Sequence, residues 1–209
     1  MTSSMPWRPN VPGDYRGPRI ALIHGFMAGV HMQWHLLRFL REHGFADTTL
    51  YSNHLRPASI AKDLAPAAQA GRPIVLLGYS QGGIQVMKVA KLLEAQQVKC
   101  DLVISLAAGG IGRWHPAQWG FNGRRVPANV SRYLNYFAAN DKLGTDRRKA
   151  DNLAHATSDN TRLENIAYSE AAGVDHLSIA RCYPTERVLP EVKTLFLDRL
   201  LNELAELSS

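Results

Sequence analysis

The chain has 209 residues, of which 45% are hydrophobic and 20% charged, and its formal net charge is +6. This length and composition predict one folded domain over residues 1–209 and are not typical of a disordered chain. No apolar run approaches the ~18 residues of a membrane span, so we expect no integral membrane segment. The residues before Arg19 lack the apolar core of a signal peptide. We therefore expect a cytoplasmic protein, or a secreted one if a leader has been removed.

Cysteine content and charge narrow the function classes further. Cys100 and Cys182 are too few for a disulfide framework and lack metal-site spacing, which favours free thiols. No basic run is interleaved with aromatic residues, so a solvated basic surface is favoured over binding to nucleic acid or anionic lipid. Basic residues are concentrated at Arg113, Arg124, Arg125, Arg132, Lys142, Arg147, Arg148 and Lys149.

Short apolar runs alternate with helical patterns in the first half of the chain. Strands are predicted over 19–23, 47–52 and 73–78, and helices over 32–44 and 59–71. The run 73–78 has no polar alternation, as expected of a strand buried on both faces. Ser59 is the predicted N-cap of the second helix, Pro66 a predicted kink and Gly71 its end.

The second half continues the alternation. Helices are predicted over 82–96 and 189–207, strands over 101–108, 132–139 and 162–169, and an irregular stretch over 109–129. The last helix carries one apolar stripe, made of Leu189, Val192, Phe196, Leu200, Leu204 and Leu207. Strand–helix alternation of this kind predicts an α/β fold in which helices cover both faces of a mainly parallel sheet.

A single serine stands between glycines where one predicted strand meets the next helix. Residues 78–82 read GYSQG, which matches the nucleophile pattern G-x-S-x-G around Ser80. A sharp turn there forces the serine into strained backbone geometry, and glycines on both sides avoid clashes. The alternative is a serine that only N-caps the helix in a glycine turn. The strand–turn–helix context favours a nucleophile.

A serine nucleophile needs donors for the developing oxyanion. The backbone N–H of Gln81 is the expected first donor. The loop HGFMAG (24–29) follows a predicted strand and is rich in glycine, and within it Phe26 is the expected second donor. His24 is expected to shape this loop through a hydrogen bond rather than to act as a base.

The orienting acid is expected at the end of a later strand. Asp141 directly follows the predicted strand 132–139, whereas strand 101–108 ends without a carboxylate. Asp146 and Asp151 lie further into the loop and are poorer candidates. Asp175 is adjacent in sequence to the expected base, and neighbouring side chains usually diverge.

His176 is the expected base because it follows the last predicted strand and precedes the closing helix. The alternative is a histidine with no catalytic role. The competing histidines fit less well by position: His31, His35, His43, His54, His115 and His155. His31 and His35 are four residues apart, but the glutamate of a zinc-protease pair is missing between them.

The HG loop, the serine turn, the aspartate after a strand and the late histidine resemble the α/β-hydrolase superfamily, in the order that family uses. GYSQGG is also locally similar to cutinases and small lipases. The resemblance runs from Arg19 onward. Because only 18 residues precede Arg19, the family's first two strands are expected to be missing. The resemblance thus implies a minimal three-layer sandwich with about six mainly parallel strands.

The resemblance implies a serine esterase or lipase-like enzyme with a Ser80–Asp141–His176 triad. It would cleave carboxylic esters with an apolar or lipid-like acyl group through an acyl-enzyme, without a cofactor or metal. Thioester or amide cleavage stays open because the fold and triad do not determine the leaving group. A hydrolase fold used as a non-catalytic binding module is the other alternative.

The irregular stretch 109–129 lies where this superfamily often inserts a cap. It contains Trp114, Trp119 and Phe121, many aromatics for a solvent loop. They are predicted to form a short lid or an acyl-binding wall over Ser80. The alternative is that they pack the loop onto the core.

Overall fold

The computed structural model describes residues 7–110 and 121–208, and its centre is a six-stranded sheet in the order β2-β1-β3-β4-β6-β8. Every neighbouring pair in this sheet is parallel. The six strands are β1 (Arg19–His24), β2 (Thr48–Ser52), β3 (Ile74–Tyr79), β4 (Cys100–Leu106), β6 (Val130–Ala138) and β8 (Arg162–Tyr168). The predicted strands are confirmed with shifts of one or two residues at their ends.

The main helices also follow the predicted order. The described helices are α1 (Gly29–Met32), α2 (Arg38–Glu42), α3 (Pro57–Gln69), α4 (Gln81–Ala95), α5 (Pro190–Val192) and α6 (Arg199–Glu206). A π-helical turn over Gln33–Leu37 joins α1 to α2, and another over Lys193–Asp198 joins α5 to α6. The sequence predicted each of these helical stretches but not its π-helical turn, because hydrophobic periodicity does not distinguish one widened turn.

The predicted three layers are present, with one apolar cluster on each face of the sheet. In β3, Val75, Leu77 and Tyr79 belong to one cluster, whereas Ile74 and Leu76 belong to the other. The first face is covered by the α1–α2 stretch and the C-terminal helices, and the second by α3 and α4. Alternate residues of a buried strand therefore pack against different helical layers.

The strand order reverses between β1 and β3. From β1 the chain passes to β2 on one side, and β3 then pairs with the other side of β1. Ligands of open α/β sheets bind outside the carboxyl ends of the strands at such a reversal. The loop after β1 and the turn after β3 both leave the sheet at this point.

Helix α3 does not begin as predicted. Its first residue is Pro57 with Arg56 at the N-cap, so Ser59 is not the cap. Proline is well suited to the first helical position, because its φ is already helical and its missing N–H needs no partner there. The helix continues through Pro66 to Gln69.

Arg132 is an exception to the predicted solvated basic surface. Arg132 on β6 is buried, and its guanidinium donates to Glu164 of β8 (2.6 Å) and to Glu203 of α6 (3.0 Å). Strand pairing places Arg132 beside Arg162, and Glu164 lies two residues further along β8. Buried arginine is retained where carboxylates pair with it. Lys142, by contrast, is exposed.

The stretch 109–129 is described in part. Residues 111–120 lie outside the described residues, and with them the predicted Trp114 and Trp119. Downstream, β5 (Arg125–Val126) pairs in parallel with β7 (His155–Ala156), a small sheet that the sequence did not predict. The Ala128 N–H donates to Glu94 of α4 at 2.7 Å. The second part of the stretch is therefore fastened to the domain.

Two further expectations concern chemistry outside the sheet. In the described ranges 7–110 and 121–208, none of the helices is long and apolar enough to cross a membrane. Cys100 and Cys182 are buried free thiols, and burial raises the pKa of Cys100 to about 12.

Candidate active site

Ser80 sits in a strained turn between β3 and α4. Its backbone has φ 57° and ψ −127°, a conformation that costs a non-glycine residue on the order of 1–3 kcal/mol. The Ser80 N–H donates to the carbonyl of Leu106 at the end of β4 (2.8 Å), which ties the turn to the neighbouring strand. Among the described residues, the Ser80 side chain makes no capping hydrogen bond to α4. The alternative of a capping serine therefore has no such bond to support it.

The glycines on either side of Ser80 are required by close approach. A Cβ on Gly78 would lie 2.2 Å from the carbonyl oxygen of Gly82. A Cβ on Gly82 would lie 2.0 Å from the carbonyl oxygen of Ile23, the penultimate residue of β1. Both distances are far below van der Waals contact, so only glycine permits β3, α4 and β1 to meet here.

The HG loop lies directly against Ser80. A Cβ on Gly25 would lie 2.6 Å from the Ser80 Cβ and 3.0 Å from its Oγ. His24 is buried, and its Nδ1 donates to the Gly25 carbonyl at 2.6 Å. The pKa of His24 is lowered, mainly because the imidazole is buried. This contact matches the loop-shaping role predicted for His24.

Asp141 and His176 meet from two different loops. The Asp141 Oδ2 lies 2.8 Å from the His176 Nδ1, and the Asp141 side chain has no exposed surface. The other carboxylate oxygen, Oδ1, accepts hydrogen bonds from the Leu143 N–H (2.9 Å) and the Gly144 N–H (2.7 Å). The backbone thus holds Asp141 in place, and Asp141 engages the Nδ1 rather than the Nε2 of His176.

Asp175, the competing carboxylate, is used inside its own loop. Its Oδ1 accepts from the Leu177 N–H (3.1 Å) and the Ser178 N–H (2.7 Å). Burial raises the pKa of this carboxyl, but the hydrogen bonds from Ser178 and Leu177 outweigh it and the net pKa is lowered. Asp175 therefore shapes the loop that carries His176.

Solved structures are similar to this fold over nearly the whole chain. Lipase B of Aspergillus fumigatus is similar with a TM-score of 0.58 at 14% identity, over 96% of this chain and 63% of the lipase. The RedJ thioesterase of the prodiginine biosynthetic pathway in Streptomyces coelicolor has a TM-score of 0.51 at 10% identity, over 90% of this chain and 91% of that one. Human thioesterase 2 has a TM-score of 0.50 at 14% identity, over 91% of this chain and 98% of that one.

The chain has the α/β-hydrolase fold. The predicted fold class is confirmed. At these sequence identities the likeness concerns the fold alone. No protein-family model matches the sequence, and no curated protein matches it either.

The predicted oxyanion donors lie on the two segments that border Ser80 in this hydrolase fold. Gln81 is the first residue of α4, so its N–H has no acceptor within the helix. Phe26 directly follows Gly25 in the HG loop, and its side chain is exposed. Their role as donors stays a prediction.

Two side-chain hydrogen bonds that the sequence did not predict hold the first turn of α4. The Asn53 Nδ2 donates to the Gln81 Oε1 (2.7 Å), and the Gln85 Nε2 donates to the Leu55 carbonyl (2.7 Å). These bonds connect the loop after β2 to the helix that begins directly after Ser80. The sequence carried no signal for them, because Asn53 lies in an unremarkable polar turn.

Phe121 is the one described member of the predicted acyl-binding wall. Its ring packs against the apolar cluster of α3 and α4, and the Lys88 ammonium lies 5.4 Å from the ring centroid. For Phe121 this packing favours the alternative of a loop held on the core. The role of Trp114 and Trp119 falls outside the described residues and stays a prediction.

The close approach of Gly82 to Ile23 generates a first prediction. Gly82→Ala should lower the free energy of unfolding by at least ~1–3 kcal/mol, because the new Cβ must displace the main chain of β1. Chemical denaturation of the two proteins measures the difference. Gly13→Ala is the matched control, since a Cβ there has no neighbour within 4 Å and should leave stability unchanged or slightly higher. Equal stabilities of the two variants would contradict this account of the turn.

Proposed function

We propose that the protein is a serine hydrolase that cleaves carboxylic esters of apolar acyl groups through an acyl-enzyme on Ser80. The observation that carries this proposal is the 2.8 Å contact between Asp141 and His176, on loops that follow β6 and β8. Both loops leave the same edge of the parallel sheet as the strained Ser80 turn. This shared edge supports a Ser-His-Asp triad made of Ser80, His176 and Asp141.

The chemistry follows from the hydrogen bond at Nδ1. Asp141 accepts a hydrogen bond from the Nδ1–H of His176, so the Nε2 carries the lone pair that takes the Ser80 proton. The serine oxygen then bonds to the ester carbonyl carbon, and the imidazolium returns the proton to the leaving alcohol. Water attacks the acyl-enzyme with His176 again as base, and the acid and free Ser80 are released.

The tetrahedral intermediate needs donors for its negative oxygen. The Gln81 N–H at the start of α4 would act with the favourable dipole of that helix, and the Phe26 N–H would complete the pair. Each such donor contributes roughly 10²–10³-fold to kcat. The contact of Gly25 with Ser80 supports this arrangement, because it brings the HG backbone to the nucleophile.

Exposed apolar side chains in three loops support an apolar acyl group. Phe26 and Met27 are 62% and 85% exposed in the loop after β1. Leu143 and Leu177 are each 54% exposed, two residues after Asp141 and one after His176. Exposed apolar surface that accompanies a polar site often marks a ligand groove. A lipid-like ester would match it.

The leaving group has a second candidate. Two of the similar structures are named as thioesterases and one as a lipase, on the same fold. A thioester presents the same acyl carbon to Ser80, so the fold and triad support both reactions. An amide substrate is less favourable on chemical grounds, because its nitrogen is a poorer leaving group.

Ser80→Ala should abolish hydrolysis of p-nitrophenyl esters and of matched S-acyl thioesters. The change removes the nucleophile but little buried surface, so the free energy of unfolding should stay within ~0.5 kcal/mol of wild type. Rates for acetyl to decanoyl members of both series measure the acyl and leaving-group preference. We expect kcat/KM to rise with chain length and to be higher for the esters.

The same series separates the alternatives. Higher kcat/KM for every thioester would assign the protein as a thioesterase. A folded Ser80→Ala variant with undiminished turnover would overturn the proposed nucleophile. Binding of esters without any turnover by wild type would instead indicate a non-catalytic module.

Asp141→Asn should lower kcat by roughly 10²–10⁴-fold. Asparagine keeps the oxygen that accepts from Leu143 and Gly144, but its NH₂ group would face the His176 Nδ1 and favour the wrong imidazole tautomer. Steady-state kinetics measure the loss, and circular dichroism checks the fold. Asp175→Asn is the control and should change kcat only slightly. The reverse pattern, with Asp175→Asn the crippling change, would show that the wrong carboxylate has been assigned.

A further inference from the structure

The loop that carries His176 has little regular structure of its own. Between β8 and α5 it contains three short 3₁₀ turns, at Glu170–Ala172, Ser178–Ala180 and Thr185–Arg187. Asp141 holds one ring nitrogen of His176, but a single hydrogen bond does not determine where the backbone of the loop lies. Other contacts must place it.

Tyr79 supplies the first of these contacts. Its hydroxyl donates to the backbone carbonyl of His176 at 2.6 Å, across 97 residues of sequence. Its ring also lies against the His176 imidazole, with 5.0 Å between centroids and an interplanar angle of 35°. Tyr79 is 1% exposed and is followed directly by Ser80. One rigid buried side chain thus connects the nucleophile turn to the base.

Two histidines of the first helical stretch hold the rest of the loop. The His31 Nε2 lies 3.2 Å from the Leu177 carbonyl oxygen. The His35 Nδ1 lies 3.3 Å from the Cys182 nitrogen and 3.2 Å from the Tyr183 nitrogen. A carbonyl only accepts and a backbone N–H only donates. His31 must therefore carry its proton on Nε2, whereas the His35 Nδ1 must be unprotonated.

The helix geometry suits this division of roles. The π-helical turn Gln33–Leu37 contains His35. The centroids of the His31 and His35 rings are 4.4 Å apart. Single π turns inside helices occur frequently at functional sites. No group of three potential metal ligands occurs among the described residues, which include both histidines. Their paired spacing is thus used for backbone hydrogen bonds to the loop.

We propose that Tyr79, His31 and His35 are positioning residues that hold the His176 loop in register with Ser80, a role that rests on the proposed hydrolase function. Tyr79 holds the base itself, His31 the next peptide group, and His35 the far end of the loop. None of the three needs to contact substrate. The loop that bears the base is therefore docked on α1, the π-helical turn and β3.

The protonation state of His35 makes this docking sensitive to acid. Burial, and then the neighbouring His31, lowers the pKa of His35 from 6.5 to about 4. Its pKa is thus lower in the folded than in the unfolded protein, and stability from the neutral ring is present above pH ~6.5 and lost as the pH falls through about 4. The titratable or charged groups that face His35 are His31, Arg38, Arg181, Cys182, Tyr183 and Glu186.

Conservative variants of the whole chain test the proposal. Tyr79→Phe keeps the ring and removes the hydroxyl, His35→Phe removes the acceptor, and His35→Gln restores an acceptor oxygen. We expect Tyr79→Phe and His35→Phe to lower kcat for p-nitrophenyl acetate about tenfold or more, because small displacements of catalytic groups are costly, with KM changed less than twofold. Amide hydrogen exchange over residues 176–183 should become faster in both variants. His35→Gln should recover most of kcat.

Two control positions lie outside this loop, Tyr136 in the core and His43 at the exposed end of α2. The Tyr136 hydroxyl donates to the Leu195 carbonyl at 2.9 Å, and the His43 Nδ1 bonds to the Phe39 carbonyl at 2.7 Å. Tyr136→Phe and His43→Phe remove comparable hydrogen bonds away from the loop. Both should leave kcat and exchange over 176–183 unchanged. The fall in stability of wild type between pH 6.5 and 4 should also be smaller in His35→Gln, which cannot be protonated.

Two results would overturn the positioning role. One is wild-type kcat and exchange in both Tyr79→Phe and His35→Phe. The other is an equal effect of the controls, which would indicate general loss of core packing. If wild type shows no turnover, the proposed function fails, while hydrogen exchange and the pH dependence of stability still test the anchoring of the loop. Should His35→Phe not fold, Tyr79→Phe and His35→Gln decide by the same measurements.

Discussion

The first turn of α4 packs directly on the carboxyl end of β1, at the contact between Gly82 and the Ile23 carbonyl. A Cβ on Gly82 would lie only 2.0 Å from that oxygen, so the two main chains can approach each other only where no side chain intervenes. Because of this close approach the chain must turn sharply from β3 into α4, and Ser80 at the turn takes the strained conformation with φ 57°. Ser80, the proposed nucleophile, thus lies where the chain leaves β3 beside the end of β1, at the point where the strand order reverses.

The parallel sheet brings the HG loop, Asp141 and His176 to the edge at which Ser80 lies. All neighbouring strand pairs of the central sheet are parallel, so the loops after β1, β3, β6 and β8 all emerge at the carboxyl edge. Each loop is then fixed by hydrogen bonds to its neighbours. Asp141 is held by two backbone N–H groups, and the His176 loop by Tyr79 and two helical histidines. Local sequence features thus indicate which residues belong to the site, whereas contacts between distant parts of the chain determine how far apart those residues lie.

Much of this arrangement could be predicted from the sequence because its signals are local. The strands and helices are recognisable from runs of neighbouring apolar residues, and the serine turn from its glycines. The chain order of Ser80, Asp141 and His176 can be read directly from the sequence. Ser59 was wrongly predicted as a cap because Pro57, two residues earlier, already provides a suitable first helical residue. The burial of Arg132 was also missed, since it requires Glu164 and Glu203 from elements far away in sequence.

The contacts of Tyr79, His31 and His35 illustrate what sequence patterns leave out. In the sequence Tyr79 is only the variable residue of the serine turn, whereas the acceptor of its hydroxyl lies 97 residues later. The two histidines read as a helical pair with no glutamate between them, and only the fold shows that backbone groups are their partners. The π-helical turn at His35 has no distinct hydrophobic period, so it too emerges only in three dimensions.

We propose that the strained backbone of the turn and the Asp141–His176 pair together make Ser80 a nucleophile. The most direct measurement is reaction of the intact protein with a fluorophosphonate probe, followed by proteolysis and mass spectrometry of the labelled peptide. We expect a single adduct on Ser80, formed far more slowly when His176 is replaced by alanine. An unlabelled but folded protein, or an adduct on a different residue, would contradict it.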